Sequence, residues 1–263
     1  MRVSQKIFHM VSPFLFGIAL LALWELAVRV NSVPEYILPG PRAILIALWI
    51  DGPDLLVGLL ITLQVTLAAL VLAAVTGAGI AMILAQTRLI EKTLFPYAVF
   101  LQVTPIVTIA PFVIIWVENV YLVLLLLAWM AAVFPVISNT LTGLKSADSN
   151  LRELFQLYGA NNWEVLTRLL VPTGLPFFLA GLRISGGLAL IGAVVAEMVA
   201  GTAGTRSGLA SRLLEASYRL ELPRAFAAFF LLSLAGFSIY LILQWISHLM
   251  LRNWHESERL HER

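Results

Sequence analysis

Six apolar stretches, at residues 13–30, 55–85, 94–116, 120–141, 177–200 and 224–251, punctuate this chain, and each is long enough to cross the hydrocarbon core of a bilayer as a helix. In hydrocarbon every backbone N–H and C=O must find a partner within the chain, and a run of this length achieves that as a helix. The spans therefore predict an all-α, polytopic membrane protein of about six transmembrane helices forming one transmembrane domain, residues 1–263, with core spans over 55–251. Composition agrees: 60% of residues are hydrophobic and 12% charged, where a soluble domain has roughly 25% charged residues. The net charge of +2 is carried by basic residues flanking the spans, which orient them, so no nucleic-acid partner is implied. Cysteine is absent, which rules out disulfides and thiolate metal sites.

Small residues form two rows. Ala69, Ala73, Gly77, Ala81 and Ala85 recur every four positions in the second span, and Gly181, Ser185, Ala189 and Ala193 do the same in the fifth. Such rows let helix backbones approach closely. In the third span Gln102, Thr104 and Pro105 are candidates for a solute pathway, because Pro105 and Pro111 free backbone carbonyls inside the bilayer, with a kinked structural helix as the alternative. Glu197 is a further pathway candidate, with a structural hydrogen-bonding role as its alternative, and Arg183 is expected to snorkel or bind a neighbouring carbonyl. Asn31 to Pro53 reads as an exterior loop holding a short interfacial helix between Pro41 and Ile50.

Between the fourth and fifth spans lies a polar-punctuated insert, residues 144–172. Asn150 with Glu153, and Asn161 with Glu164, are capping-box spacings that predict two short helices. Leu151, Leu154, Phe155 and Tyr158 share a face of the first, Gly159 supplies a left-handed end, and Trp163, Leu166 and Leu170 follow until Pro172 is expected to stop the second. Such an apolar-faced knob must lie on the bilayer, pack on its own spans or plug into another protein.

With Glu153-Leu154-Phe155, Gly159, Leu169 and Val171-Pro172 at these spacings, the insert resembles the EAA loop of ABC-importer permeases, although Leu and Phe replace the two alanines. The flanks, residues 139–145 with Ala196-Glu197-Met198 and Gly208-Leu209, resemble the sulfonate/nitrate/taurine branch, and the similarity runs over residues 38–254. The resemblance implies a type I importer permease in the bacterial cytoplasmic (inner) membrane. It also implies a homodimer surrounded by lipid, two cytoplasmic ABC ATPase subunits gripping the knobs, and an extracytoplasmic solute-binding protein. Glu153, Gly159 and Pro172 would shape the knob, while Leu154, Phe155, Tyr158, Ala160 and Trp163 would meet the ATPase. The substrate class it implies is a small sulfonate, nitrate or taurine-like anion, or a vitamin precursor.

An amino terminus inside the cell would leave both termini cytoplasmic and the knob with them. Ten of the 17 Lys and Arg then fall on the cytoplasmic side against six outside, with Arg183 in a span. The chain has no phosphate-cradling Gly-Lys-Ser/Thr loop, no Gly-x-Ser-x-Gly and no His-Glu-x-x-His, and its histidines, His9, His248, His255 and His261, lack metal-site spacing. It is expected to be no enzyme and to bind no cofactor, with ATP hydrolysis on a partner. An ion-gradient-driven secondary transporter is the alternative, with Glu25 and Glu197 its only carboxylate candidates for coupling, and a noncatalytic scaffold is a third reading.

Overall fold

The structure, a computed structural model, describes residues 2–201 and 207–252, with the backbone alone described at residues 2–11, 13 and 14. The charged tail with His255 and His261, the side chain of His9, and Arg206 lie outside the described residues. All regular structure among the described residues is helical: α1 Arg2–Val30, α2 Pro41–Ile50, α3 Gly52–Leu84, α4 Arg88–Val103, α5 Ile106–Trp116, α6 Val120–Lys145, α7 Ser149–Leu157, α8 Asn162–Val165, α9 Val171–Ala200, α10 Leu209–Tyr218 and α11 Leu222–Leu251. Four unbroken helical runs are long and apolar enough to cross a membrane, namely α3, α6, Asn162–Ala200 and α11. The pair α4–α5 adds a broken fifth, bent by 97°, and the first expected span falls on α1.

Proline placement corrects the expected span boundaries twice. The third span is two helices rather than one kinked helix, and α4 begins at Arg88, inside what reads in the sequence as a turn over 86–93. Pro105 has no N–H to give and forces Thr104 into the extended region (φ −74°, ψ 122°), so the chain leaves α4 and restarts with Pro105 as the N-cap of α5. Pro172, by contrast, does not stop its helix. A π-helical segment, Leu166–Leu170, precedes it, and Val171 N–H reaches back five residues to Leu166 O. That widened turn carries the helix through a residue that lacks a donor and would otherwise crowd the carbonyl four positions before it. α8, the π segment and α9 consequently form one run of 39 residues. The fifth span thus continues unbroken from the knob instead of starting near Phe177.

The two small-residue rows form the centre. A Cβ on Gly77 of α3 would come within 2.8 Å of Val136 Cβ on α6, and one on Gly181 of α9 within 2.7 Å of Pro135 O. Ser185 Oγ donates to Ala132 O at 2.6 Å, and Trp129 Nε1 donates to Thr76 Oγ1 at 2.9 Å, so polar groups in the apolar core bond across helices. On α9, glycine is required where it touches α6, as at Gly181, and optional at Gly187. Gly181→Leu is expected to destabilise the detergent-purified protein by about 3 kcal/mol or more through overpacking. Gly187→Leu, whose Cβ meets nothing within 4 Å, should leave the thermal midpoint in place or raise it. Equal midpoints for the two variants would contradict the close α6–α9 contact.

Candidate coupling site

The knob is built from short-range hydrogen bonds whose geometry follows from its sequence. α7 starts two residues earlier than the Asn150–Glu153 spacing predicts. Asp148 is the cap, its Oδ1 accepting from Asn150 N–H at 2.8 Å, because its carboxylate is nearer the free amides of the first turn. Glu153 is thereby released. It is exposed and makes no hydrogen bond or ion pair among the described residues. α7 ends as a Schellman motif: Gly159 N–H donates to Gln156 O at 3.0 Å, Ala160 N–H donates to Phe155 O at 3.0 Å, and Gly159 has φ +72°. The Asn161 box forms in full, with Glu164 N–H donating to Asn161 Oδ1 at 2.9 Å and Asn161 N–H donating to Glu164 Oε2 at 3.0 Å.

Phe155 and Ala160 turn inward onto the cluster of Leu84, Leu144, Val165, Leu169 and Leu170, which seats the knob on α3, α6 and α9. The neighbouring positions form an open apolar surface. Leu154 is 45% exposed, Tyr158 84% and Trp163 69%, and Leu151 and Leu157 lie open beside them. At the knob's base a Cβ on Gly143 would stand 2.6 Å from Phe177 Cβ and 2.9 Å from Gly174 Cα. α6 and α9 are therefore in backbone contact where the knob joins them.

The pathway candidates occupy two places. Gln102, Thr104 and Pro105 sit together at the α4–α5 bend, with Gln102 and Pro105 exposed. Glu197 lies elsewhere, fully buried at the end of α9, and its Oε2 accepts from Ala210 N–H at 3.0 Å. It caps α10 from another helix, and a Cβ on Gly208 would fall on its carboxylate. Glu25 repeats the device on α1: Oε2 accepts from Arg42 N–H at 3.1 Å in the first turn of α2, and a Cβ on Gly40 would stand 2.6 Å from it. A carboxylate aimed at the free amides of a helix start is stabilising through hydrogen bonding and the helix dipole. The hydrogen-bonding reading of Glu197 is the one the geometry meets.

Several residues beyond reach of the sequence complete that junction. Thr62 Oγ1 accepts from Leu209 N–H at 2.9 Å, and the buried Arg212 pairs with Asp54, which Arg224 also reaches at 2.8 Å. These partners lie on α3, α10 and α11, so no local pattern announces them. The glycine just before each capped helix is the one usable signal. Arg183 bonds a side chain and not a carbonyl, with Nη2 donating to Ser247 Oγ at 3.0 Å.

A helical bundle of this kind, with a broken span and a two-helix insert between its two central long helices, defines an importer-permease architecture. A solved structure of an amino acid ABC transporter shares the fold, with a TM-score of 0.60, 15% identity, and coverage of 77% of this chain and 94% of that one. The chain belongs to the family described as binding-protein-dependent transport system inner membrane component, whose model matches residues 76–252. It is 30% identical to the formylaminopyrimidine transport permease protein ThiX of Halalkalibacterium halodurans, over 94% of this chain and 97% of that protein. It is also 30% identical to the riboflavin transport system permease protein RibX of Chloroflexus aurantiacus, over 90% and 88% of the two chains. The putative aliphatic sulfonates transport permease protein SsuC of Bacillus subtilis is 25% identical over 89% and 84%. The chain is thus a multi-pass inner-membrane permease subunit of the ABC-importer type, similar to sulfonate-branch permeases.

Proposed function

We propose that this permease imports a small solute by taking up the work of a separate ATPase through the knob at residues 144–172. The carrying observation is the apolar surface of Leu154, Tyr158 and Trp163, exposed on a knob that Phe155 and Ala160 rest against the bundle. Large exposed apolar and aromatic groups on a rigid base are what a partner's pocket recognises. The unpaired Glu153 beside them offers a charge for a basic group of the ATPase. In this reading both termini are cytoplasmic, two copies of the chain form the pathway, and a solute-binding protein delivers solute from outside. The names of the relatives support a solute of the kind they carry, a sulfonate or a heterocycle such as formylaminopyrimidine or riboflavin.

An ion-coupled transporter is disfavoured by the use already made of its two carboxylates. Glu25 and Glu197 each cap a helix, and neither is left as a free intramembrane acid. Replacing Tyr158 and Trp163 together by aspartate tests the docking reading. The protein should insert and purify normally but lose its ATPase partner, by about tenfold or more in retained stoichiometry, as expected for two central aromatic contacts worth ~2 kcal/mol each. Undiminished co-purification would refute it.

A further inference from the structure

α4 lies against the bundle without a single fully buried residue, so what ties it down is a short inventory. Ile90, Phe95, Ala98 and Leu101 rest on the same cluster that seats the knob. Beside them α4 and α6 are separated by a cleft of about 380 Å³, lined by Glu91, Phe95, Ser138, Leu141, Thr142, Lys145 and Ser146. Lys145 Nζ closes one end of it, bonding both Glu91 oxygens at 2.8 Å. The rings of Phe95 and Phe134 also bring α4 and α6 together, with centroids 6.1 Å apart. Lys145 is the last residue of α6, and the knob's first cap, Asp148, follows three residues later.

We propose that the Glu91–Lys145 pair is the strut through which movement of the knob reaches the broken span, so that α4 pivots at Thr104–Pro105 and carries Gln102 with it. The proposal rests on the coupling role given to the knob above. Three features support it. The pair joins the base of the knob to the first turn of α4, the adjoining cleft leaves α4 room to move, and the chain at Pro105 lacks the hydrogen bond that would keep α4 and α5 in line. Glu91 stands thirteen residues before the pivot at Thr104, a lever arm of roughly 20 Å at 1.5 Å per residue. A surface ion pair of this kind adds little to stability, which suits it to transmit position and release again. Glu91 and Lys145 are therefore positioning residues, acting through the helices they join.

The absence of cysteine makes the test direct, since an introduced thiol is unique in the chain. An environment-sensitive fluorophore is placed at Tyr97→Cys on α4 or at Gln156→Cys on the knob, and its response to ATP is read in the full complex with the ATPase. With the native pair both positions respond. Glu91→Gln and Lys145→Met should each cut the Tyr97→Cys response about tenfold, a loss typical of broken coupling between sites, while the Gln156→Cys response persists. The reversed pair, Glu91→Lys with Lys145→Glu, should restore it, and Lys145→Arg should retain it. An undiminished α4 response in the single variants overturns the strut, as does a reversed pair that fails to restore. A knob probe that ignores ATP with the native pair present strikes the coupling reading itself, and the strut falls with it.

Discussion

Replacing Gly159 by valine leaves the chain inserted and folded in the membrane but abolishes transport-linked ATP hydrolysis. Gly159 has φ +72°, and nothing lies within 4 Å of the place a Cβ would take, so the penalty is in the backbone and not in packing. A non-glycine residue in the left-handed region costs about 1–2 kcal/mol, and a β-branched one is worse. To escape, the chain must give up the two Schellman bonds from Gly159 and Ala160, and with them the angle between α7 and α8. The exposed groups Tyr158 and Trp163 lie on either side of that corner, so their relative placement is lost while the spans are untouched. ATPase assays of the reconstituted complex with and without solute-binding protein check this, and normal stimulation in the variant would remove the knob's role as a stiff lever. Gly159→Ala, with the smaller penalty, should retain part of the stimulation.

The second large effect is expected at Gly208→Val, and it falls on folding. The Cβ would land on the carboxylate of Glu197, which is wholly buried and holds Ala210 N–H at 3.0 Å. Moving the carboxylate strands that amide and leaves a buried acid without a partner, each costing of order 1–3 kcal/mol on top of the overlap. The variant should lose most of its folded yield, read as the monodisperse fraction after detergent extraction. Gly40→Val makes the matching intrusion on Glu25, but there the carboxylate side chain is 23% exposed and can swing outward, so the loss should be smaller. The reverse order of severity would contradict the buried cap.

What could be read from the residues alone was whatever is decided within a few positions. The Asn161–Glu164 box, the left-handed turn at Gly159, the helix between Pro41 and Ile50 and the two small-residue rows all depend on local spacing, and each is found in place. Proline was ambiguous because its outcome is decided by what precedes it. Pro172 is absorbed by a π turn that no composition rule announces, whereas Pro105 breaks its span because Thr104 takes the extended conformation. Asp148 displaced Asn150 as cap since both residue types serve and only backbone direction chooses. The hydrogen-bonding role of Glu197 was legible but its partners were not: its amide and glycine partners come from beyond the end of its helix, and the Thr62–Leu209 bond of the same junction spans 147 residues.

Central to this account is a knob on the cytoplasmic side whose apolar face is covered by the ATPase. A membrane-impermeant maleimide applied to Gln156→Cys in sealed vesicles of either orientation measures both points at once, because the protein has no other thiol. Labelling is expected in inside-out vesicles alone, suppressed when the ATPase is bound. Labelling from the outer face, or labelling that the bound ATPase leaves unchanged, would contradict it.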